Sequence, residues 1–517
     1  MRLLPGLSAL VLLGLAGCAV GPDFVSPKAE TPPAWAGKTT KDPQAASGVV
    51  VEGAEAADWW KTFNDAELTS LIDRARDSNL NLQQAALRIE EARAQLKAVG
   101  ARDLPSVSFD NSYARSRLSP NGALDLFGGA GGPQTAAQSA AAGIPSSLIP
   151  FSLPPFDLFQ SGFDASWEID MFGRVRRAVE SAEAQAQAIE EQRNDVLLSV
   201  YAEVARDYIQ LRGVQRLIDI TNDNLKAQRD AYKLTHAQAQ GGETSNLDVE
   251  NASSQVAITE AQLPTLDDQK TRSINALSYL LGLEPEALRP ELDAAKPLPV
   301  KPPRVPVGLP ADLARRRPDI RRAEAELHAA TANIGVATAD LYPRLTLSGS
   351  LGLQALRFNK LGDWASRFYN FGPSLQIPVF NGVTYANISL QEVRQKESAL
   401  QYKATVLGAL HDVENAVSSY GAEQLRQHSL ERAADADQRA LSLAEQRYKA
   451  GLSSFLDVLD AERRLYASQS EVARSAISID TNLIAIYKAL GGGWNANPDQ
   501  AAPTATAAGA PAQPSTK

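Results

Sequence analysis

The residues best placed to do chemistry are the two carboxylates of Leu456-Asp457-Val458-Leu459-Asp460. On a helix, positions i and i+3 share a face, so both acids can point the same way. Brought close together, such carboxylates would raise some of one another's pKa values. Catalysis fits less well, because no nucleophile–base pair is apparent and the chain does not read as an enzyme. His236, His328, His411 and His428 are widely spaced on predicted helices, which suits surface or packing roles rather than a metal site. Gly128-Gly-Ala-Gly-Gly132 lacks the Lys-Ser/Thr of a phosphate loop and reads as a flexible loop. A formal net charge of -9 argues against nucleic acid as a partner.

The single cysteine, Cys18, excludes a disulfide framework and a thiolate metal site. Arg2, the apolar run Leu7 to Leu15 and then Leu15-Ala-Gly-Cys18 read as an export signal ending in a lipoprotein cleavage box. The run is too short to span a bilayer, which takes roughly 20 residues. The expected mature N-terminus is Cys18, carrying a diacylglyceryl thioether and an amide-linked acyl chain, and several chains anchor far more firmly than one. That covalent lipid is the only group expected, with no other cofactor. Residue 19 is Ala rather than Asp, so delivery to the outer membrane is the default.

The elements that must position these residues come in two copies. Leu104-Pro-Ser-Val-Ser-Phe109 returns as Tyr342-Pro-Arg-Leu-Thr-Leu347, and Phe163 to Phe172 returns as Phe371 to Phe380. Gly242-Glu-Thr-Ser-Asn-Leu-Asp-Val249 returns as Gly451-Leu-Ser-Ser-Phe-Leu-Asp-Val458. The offset falls from 238 (104 to 342) to 208 (163 to 371), so copy one has extra residues within Asn111 to Gly162, read as a long surface loop.

With no later segment resembling a transmembrane helix, strands would have to cross any membrane. Ser106 to Tyr113, Phe163 to Asp170, Leu345 to Gln354 and Tyr369 to Val379 alternate with period two, giving an apolar face and a wet face. A soluble half-buried hairpin would alternate in the same way. Four strands cannot close, however, and open edges are not tolerated in lipid. Membrane barrels begin at about eight strands, so identical chains would have to pool theirs, a dimer giving eight and a trimer twelve. A pore wide enough for solutes favours the larger count.

Met171 to Gln240 and Asn381 to Ala450 run without proline and are rich in Ala, Glu, Gln and Arg, which predicts two very long helices. Each is followed by a glycine turn and a shorter return helix, Thr244 to Leu281 and Ser453 to Leu490. Further short helices are expected near Ala66 to Ala101 and Ala311 to Asp340. Val249, Ala252, Val256, Thr259, Leu263 and Leu266 follow a coiled-coil seam, which Pro264 should kink; copy two has Ala473 there. The tips Gly241 to Ser245 and Gly451 to Ser454 read as C-cap glycines followed by Ser or Thr N-caps.

Trp59-Trp60-Lys-Thr-Phe63-Asn-Asp65-Ala-Glu-Leu68, Arg316-Arg317-Pro318-Asp319-Ile320-Arg321, Asn333-Ile334-Gly335-Val336-Ala337 and Gly451 to Asp460 resemble the outer-membrane efflux factors, the TolC and OprM family. Cys18 points to the lipoprotein (NodT-type) branch, and the resemblance covers about Ala57 to Leu490. It implies a mostly α fold with transmembrane β, internally duplicated: a homotrimeric twelve-stranded β-barrel continuing into a twelve-helix α-barrel, with a mixed equatorial domain. The expected order is a signal peptide at 1–17, an anchor and equatorial segment at 18–62, repeat one at 63–282 with its hairpin at 104–170, and an equatorial linker at 283–310. Repeat two follows at 311–491 with its hairpin at 341–379, and a disordered tail at 492–517 closes the chain. The resemblance places a periplasmic gate at Leu456, Asp457 and Asp460, in rings of three, and matches Tyr448 and Arg463 to positions that hold it shut. Copy one keeps Leu247 and Asp248 but has Asn251 for Asp460, so only copy two should supply the double ring. Gly242, Thr244, Ser245, Gly451, Ser453 and Ser454 would dock the hairpins of a periplasmic adaptor protein. The basic cluster Arg315 to Arg317 and Arg321 to Arg322 is expected to pair with acidic neighbours such as Glu324.

The function expected on this basis is the exit duct of a tripartite efflux system, with multidrug efflux its leading service. Its partners would be the adaptor, an RND-type inner-membrane transporter and outer-membrane lipid. The alternatives are a non-conducting, periplasm-spanning structural lipoprotein, or an exit duct for type I protein secretion.

Overall fold

The computed structural model describes residues 19–29, 31–35, 49–50, 57–117, 155–299, 305–308 and 310–494. The signal peptide, Cys18, Gly128 to Gly132 and everything after residue 494 lie outside the described residues. The chain divides into two compact units.

One unit contains residues 94–183 and 329–395 and is built on a four-stranded antiparallel sheet. Its strands are β2 (Ser106–Ser116), β3 (Phe156–Ile169), β5 (Arg344–Ala355) and β6 (Arg367–Gln376), in the order β2-β3-β5-β6. The sequence motifs alternate with period two, and the register brings like residues into rows across the sheet. Phe109 faces Phe163, which faces Leu351, which faces Tyr369. One step away, Ser108, Asp164, Ser350 and Asn370 form a polar row on the opposite face. Among the described residues nothing covers the apolar rows: Phe109, Phe163, Leu351, Tyr369 and Phe371 are each more than half exposed. The strands reach further into the predicted surface loop than its Gly- and Ser-rich composition suggested. Pairing runs to Ser116 opposite Phe156.

The second unit contains residues 25–93, 184–328 and 396–517. A two-stranded parallel sheet pairs β1 (Val49–Val50) with β4 (Val305–Pro306). The expected helices are present, although more divided than predicted. Ala66 to Ala101 holds α1 (Ala66–Ser78) and α2 (Leu80–Gly100), separated at Asn79, whose side chain accepts from the amides of Asn81 and Leu82 and so starts a new helix. The long helix α3 (Arg174–Gln240) has 67 residues, about 100 Å at 1.5 Å per residue. It is followed by α4 (Asn246–Glu260) and α5 (Leu263–Leu280). At the predicted kink the helix is interrupted by a two-residue turn at Ala261 and Gln262, both still in the right-handed helical region, and Pro264 sits in the first turn of the segment that resumes, where its missing N–H costs nothing. After α6 (Arg289–Leu292), α7 (Leu313–Arg316) and α8 (Pro318–Ala339) come α9 (Gly382–Lys449), with 68 residues, and α10 (Phe455–Ala489), unbroken through Ala473. No helix among the described residues is long and apolar enough to cross a membrane.

The Trp-Trp-x-x-Phe segment is the centre of this unit's core. Trp59 is fully buried and stacks on Tyr487 with ring centroids 5.1 Å apart, while Trp60 meets Tyr201 edge-on at 4.7 Å. Beneath them Asp65 caps α1, accepting from the amides of Glu67 and Leu68. The buried Arg212 pairs with Glu67, and Tyr208 donates to Asp65 at 2.8 Å and to Glu67 at 3.0 Å. The basic cluster is structural too. Arg317 reaches Asp319, Asp412 and the Ala489 carbonyl; Arg321 reaches Glu191 and Arg322 reaches Glu326. The acid named as a partner from sequence, Glu324, accepts from Ser26 instead.

Replacing Trp59 by alanine empties the centre of this core and should cost about 3–5 kcal/mol. A lowered midpoint of chemical unfolding in detergent, with the hairpin sheet retained, is the expected result.

Candidate functional site

Both copies close their helical hairpins with the same backbone motif. Gly242 and Gly451 adopt φ of +77° and +70°, which only glycine accepts without strain. Glu243 N–H donates back to Gln238 O and Leu452 N–H to Arg447 O, each at 2.9 Å, the Schellman closure of a helix C-terminus. Ser245 then caps α4 by accepting from Asp248 N–H, and Thr244 donates to the Asp248 carboxylate at 2.7 Å. In copy two, Ser454 N–H donates to the Asp457 carboxylate at 3.0 Å, in a capping box. Ser453 is half-buried, and its hydroxyl lacks a hydrogen-bond partner among the described residues. The C-cap and N-cap reading of the tips thus matches the observed backbone.

The start of α10 has two contrasting faces. Phe455, Val458 and Leu459 are buried with Ala252, against Tyr232, Leu441 and Tyr448. Leu456, 51% exposed, lies on the other side together with exposed Asp457 and Asp460. The predicted gate residues therefore share one outward face. Two of them already have local duties: Asp457 closes the capping box, and Asp460 pairs with Arg464 at 2.8 Å. In copy one, Leu247 is 66% exposed, while Asp248 is drawn partly in by its cap.

Tyr448 and Arg463 bind across the two hairpins within one chain. The Tyr448 hydroxyl donates to Gln238 at 2.8 Å, and Arg463 Nε donates to Gln255 at 2.6 Å. The partners Gln238 and Gln255 were not singled out from sequence. Gln255 is buried between Ala252 and Thr259, so the inner seam of α4 runs 252, 255, 259 rather than through Val256 as expected. Farther along, Tyr466 donates to Gln262, at the break between α4 and α5.

Glu462 was also missed, since Ala-Glu-Arg-Arg reads as a solvated stretch. It is 7% exposed. Burial, reinforced by Glu445, pushes its carboxyl up to about 7. Because the folded value lies above the ordinary one, the folded tip holds this proton more tightly than the unfolded chain does. The associated stability is complete below about 4.5 and is lost as pH rises through about 7.

Residues 71–283 and 309–492 match the family model described as outer membrane efflux protein. The pyoverdine export outer membrane protein OpmQ of Pseudomonas putida is 34% identical over 441 residues, covering 85% of this chain and 88% of that protein. Nodulation protein T of Rhizobium leguminosarum bv. viciae is 32% identical over 494 residues, covering 95% and 93%. Among solved structures, the outer-membrane channel OprN superposes with a TM-score of 0.79 at 33% identity, over 92% of this chain and 100% of that one. The open state of the MtrE outer membrane channel of Neisseria gonorrhoeae gives 0.75 at 27% identity, over 92% and 98%. The chain belongs to the outer membrane efflux protein family. It is an efflux channel of the Gram-negative outer membrane, with the helical and strand composition of the TolC-like fold.

Glu462→Gln keeps the shape of the side chain and cannot ionise. It should protect amides over residues 446–470 more than wild type at pH 8, by up to about 3 kcal/mol, and match wild type at pH ~4. Hydrogen exchange at the two pH values reads this difference.

Proposed function

We propose that three copies of this chain form the exit duct of a tripartite efflux system and that Leu456, Asp457 and Asp460 form its gate. The observation that carries this reading is the open-edged sheet. Four strands with unpaired outer edges cannot stand in lipid alone, and three such sets reach twelve. A dimer's eight strands would leave a lumen filled by side chains. The polar rows face the lumen and the exposed aromatic rows face lipid. At the tip, three copies of the Leu456, Asp457 and Asp460 face converge as an apolar constriction flanked by carboxylate rings that select cations. Copy one offers Asn251 where copy two has Asp460, so the double ring comes from copy two alone.

Tyr448 with Gln238 and Arg463 with Gln255 hold the second hairpin against the first, and gate opening breaks these bonds. The exposed turns that include Gly242, Thr244 and Ser245, and Gly451, Ser453 and Ser454, receive the adaptor, which links the duct to an RND-type transporter. Cys18 carries the lipid anchor. The cargo is small molecules, in keeping with relatives named for pyoverdine export and for toluene efflux, and the chain conducts rather than catalyses.

Single-channel recording in planar bilayers tests the gate. Wild type should show a small, cation-selective conductance, and Asp457→Ala/Asp460→Ala a larger one with its selectivity lost. Insertion without current in both would favour the non-conducting scaffold. Tyr448→Phe and Arg463→Ala each remove one cross-hairpin bond, worth about 0.5–1.5 kcal/mol for a neutral pair and about 1.5–3 with a charged donor. Arg463→Ala should therefore raise the open probability more than Tyr448→Phe, with selectivity retained in both.

A further inference from the structure

The segment just after Cys18 is seated in a built slot at the junction where β3 hands over to α3. Val20 N–H donates to Phe172 O at 3.1 Å. Arg177, only 5% exposed, donates from Nε to Val20 O at 3.2 Å and from Nη2 to Asp23 Oδ1 at 2.6 Å, while its Nη1 is held by Glu180 at 2.8 Å. Its guanidinium therefore reads a backbone carbonyl and a carboxylate of the tether together, a geometry that only its planar fork supplies.

The walls of the slot are backbone. A Cβ on Gly21, which sits at φ +94°, would lie 2.4 Å from Gly335 Cα. A Cβ on Gly173 would lie 2.6 Å from Ala19 Cα, and one on Gly335 would lie 2.8 Å from Arg177 Cγ and 3.0 Å from Val20 O. Three glycines thus let the main chain of Ala19 to Gly21 lie in close contact with Gly173 and Gly335 along an open groove, with Arg177 bonding across it. Chain termini fray unless tied down, and this one is tied down by main-chain and charged contacts together.

The geometry points to an anchor dock: Arg177, Gly173 and Gly335 fix Ala19 to Asp23 so that the acyl chains on Cys18 enter the bilayer at a set depth beside the end of β3. Only one peptide unit separates Ala19 from the lipid-bearing residue, at most about 3.8 Å between Cα atoms, so a seated tether leaves the lipid almost no reach along the membrane normal. Arg177 is the positioning residue for the lipid. The inference rests on the lipidation of Cys18, which the test reads separately.

The full chain, purified from membranes and reconstituted in phosphatidylethanolamine/phosphatidylglycerol vesicles, is labelled with a nitroxide at Pro22→Cys, Cys18 being blocked by its thioether. The mass of the N-terminal peptide reports acylation. The spectrum should show an immobilised label with a single depth by oxygen and nickel-chelate collision. Arg177→Ala should abolish the immobilised component and broaden the depth. Gly21→Val, a change in the tether itself that cannot unfold the strands or helices, should do the same with acylation intact. A mobile label in the parent protein, or an equally immobile one in both variants, overturns the dock. An unmodified N-terminal peptide overturns the lipid reading while leaving the seating of the segment to the spectra.

Discussion

The unclosed sheet is the constraint on which the rest of the structure depends. Among the described residues, strands β2 and β6 leave backbone donors and acceptors unpaired along their outer edges, and nothing covers the apolar rows built on Phe109, Phe163, Leu351 and Tyr369. In water this would be a template for aggregation, and in lipid each unpaired group costs several kcal/mol. Further strands would satisfy the edges, and lipid would suit the rows. α3 and α9 follow directly on β3 and β6, and α9 carries exposed apolar side chains of its own, among them Leu390, Leu400 and Leu443.

The aromatic core of the second unit shows the opposite solution. Trp59, Trp60, Tyr201 and Tyr487 bury one another within a single chain, and Asp65, Glu67, Tyr208 and Arg212 satisfy one another beneath them. This core is complete in one copy, whereas the sheet is not. Burial here comes from aromatic area, and the buried charges are tolerated because each is met by a partner of opposite sign or a hydroxyl.

What was legible in the sequence was what has a period. Strand alternation located the four strands of the hairpin sheet, the absence of proline located α3 and α9, and Gly-Ser spacing located both tips, with the capping residue left as Ser or Thr until the structure assigned it to Ser245 and Ser454. The beginning of β3 was hidden because Phe156 to Gly162 mixes aromatic, acidic and glycine residues without a clean alternation, and its strand state is set by the ladder to β2 and β5. Gln255 and Glu462 were not singled out because their burial is set by packing against other helices, which no local pattern records. The seat of Ala19 to Asp23 was unreadable for a simpler reason: its contacts are mostly backbone, and its selectivity lies in the missing Cβ atoms of residues distant in sequence.

The turn between α4 and α5 is where the two repeats cease to match. Pro264 opens a new helical segment in the first return helix, whereas Ala473 lets the second run on without interruption. The duplication has therefore left one chain with two unlike return arms, one in two segments and one a single rod, and it is the single rod that carries both Asp457 and Asp460.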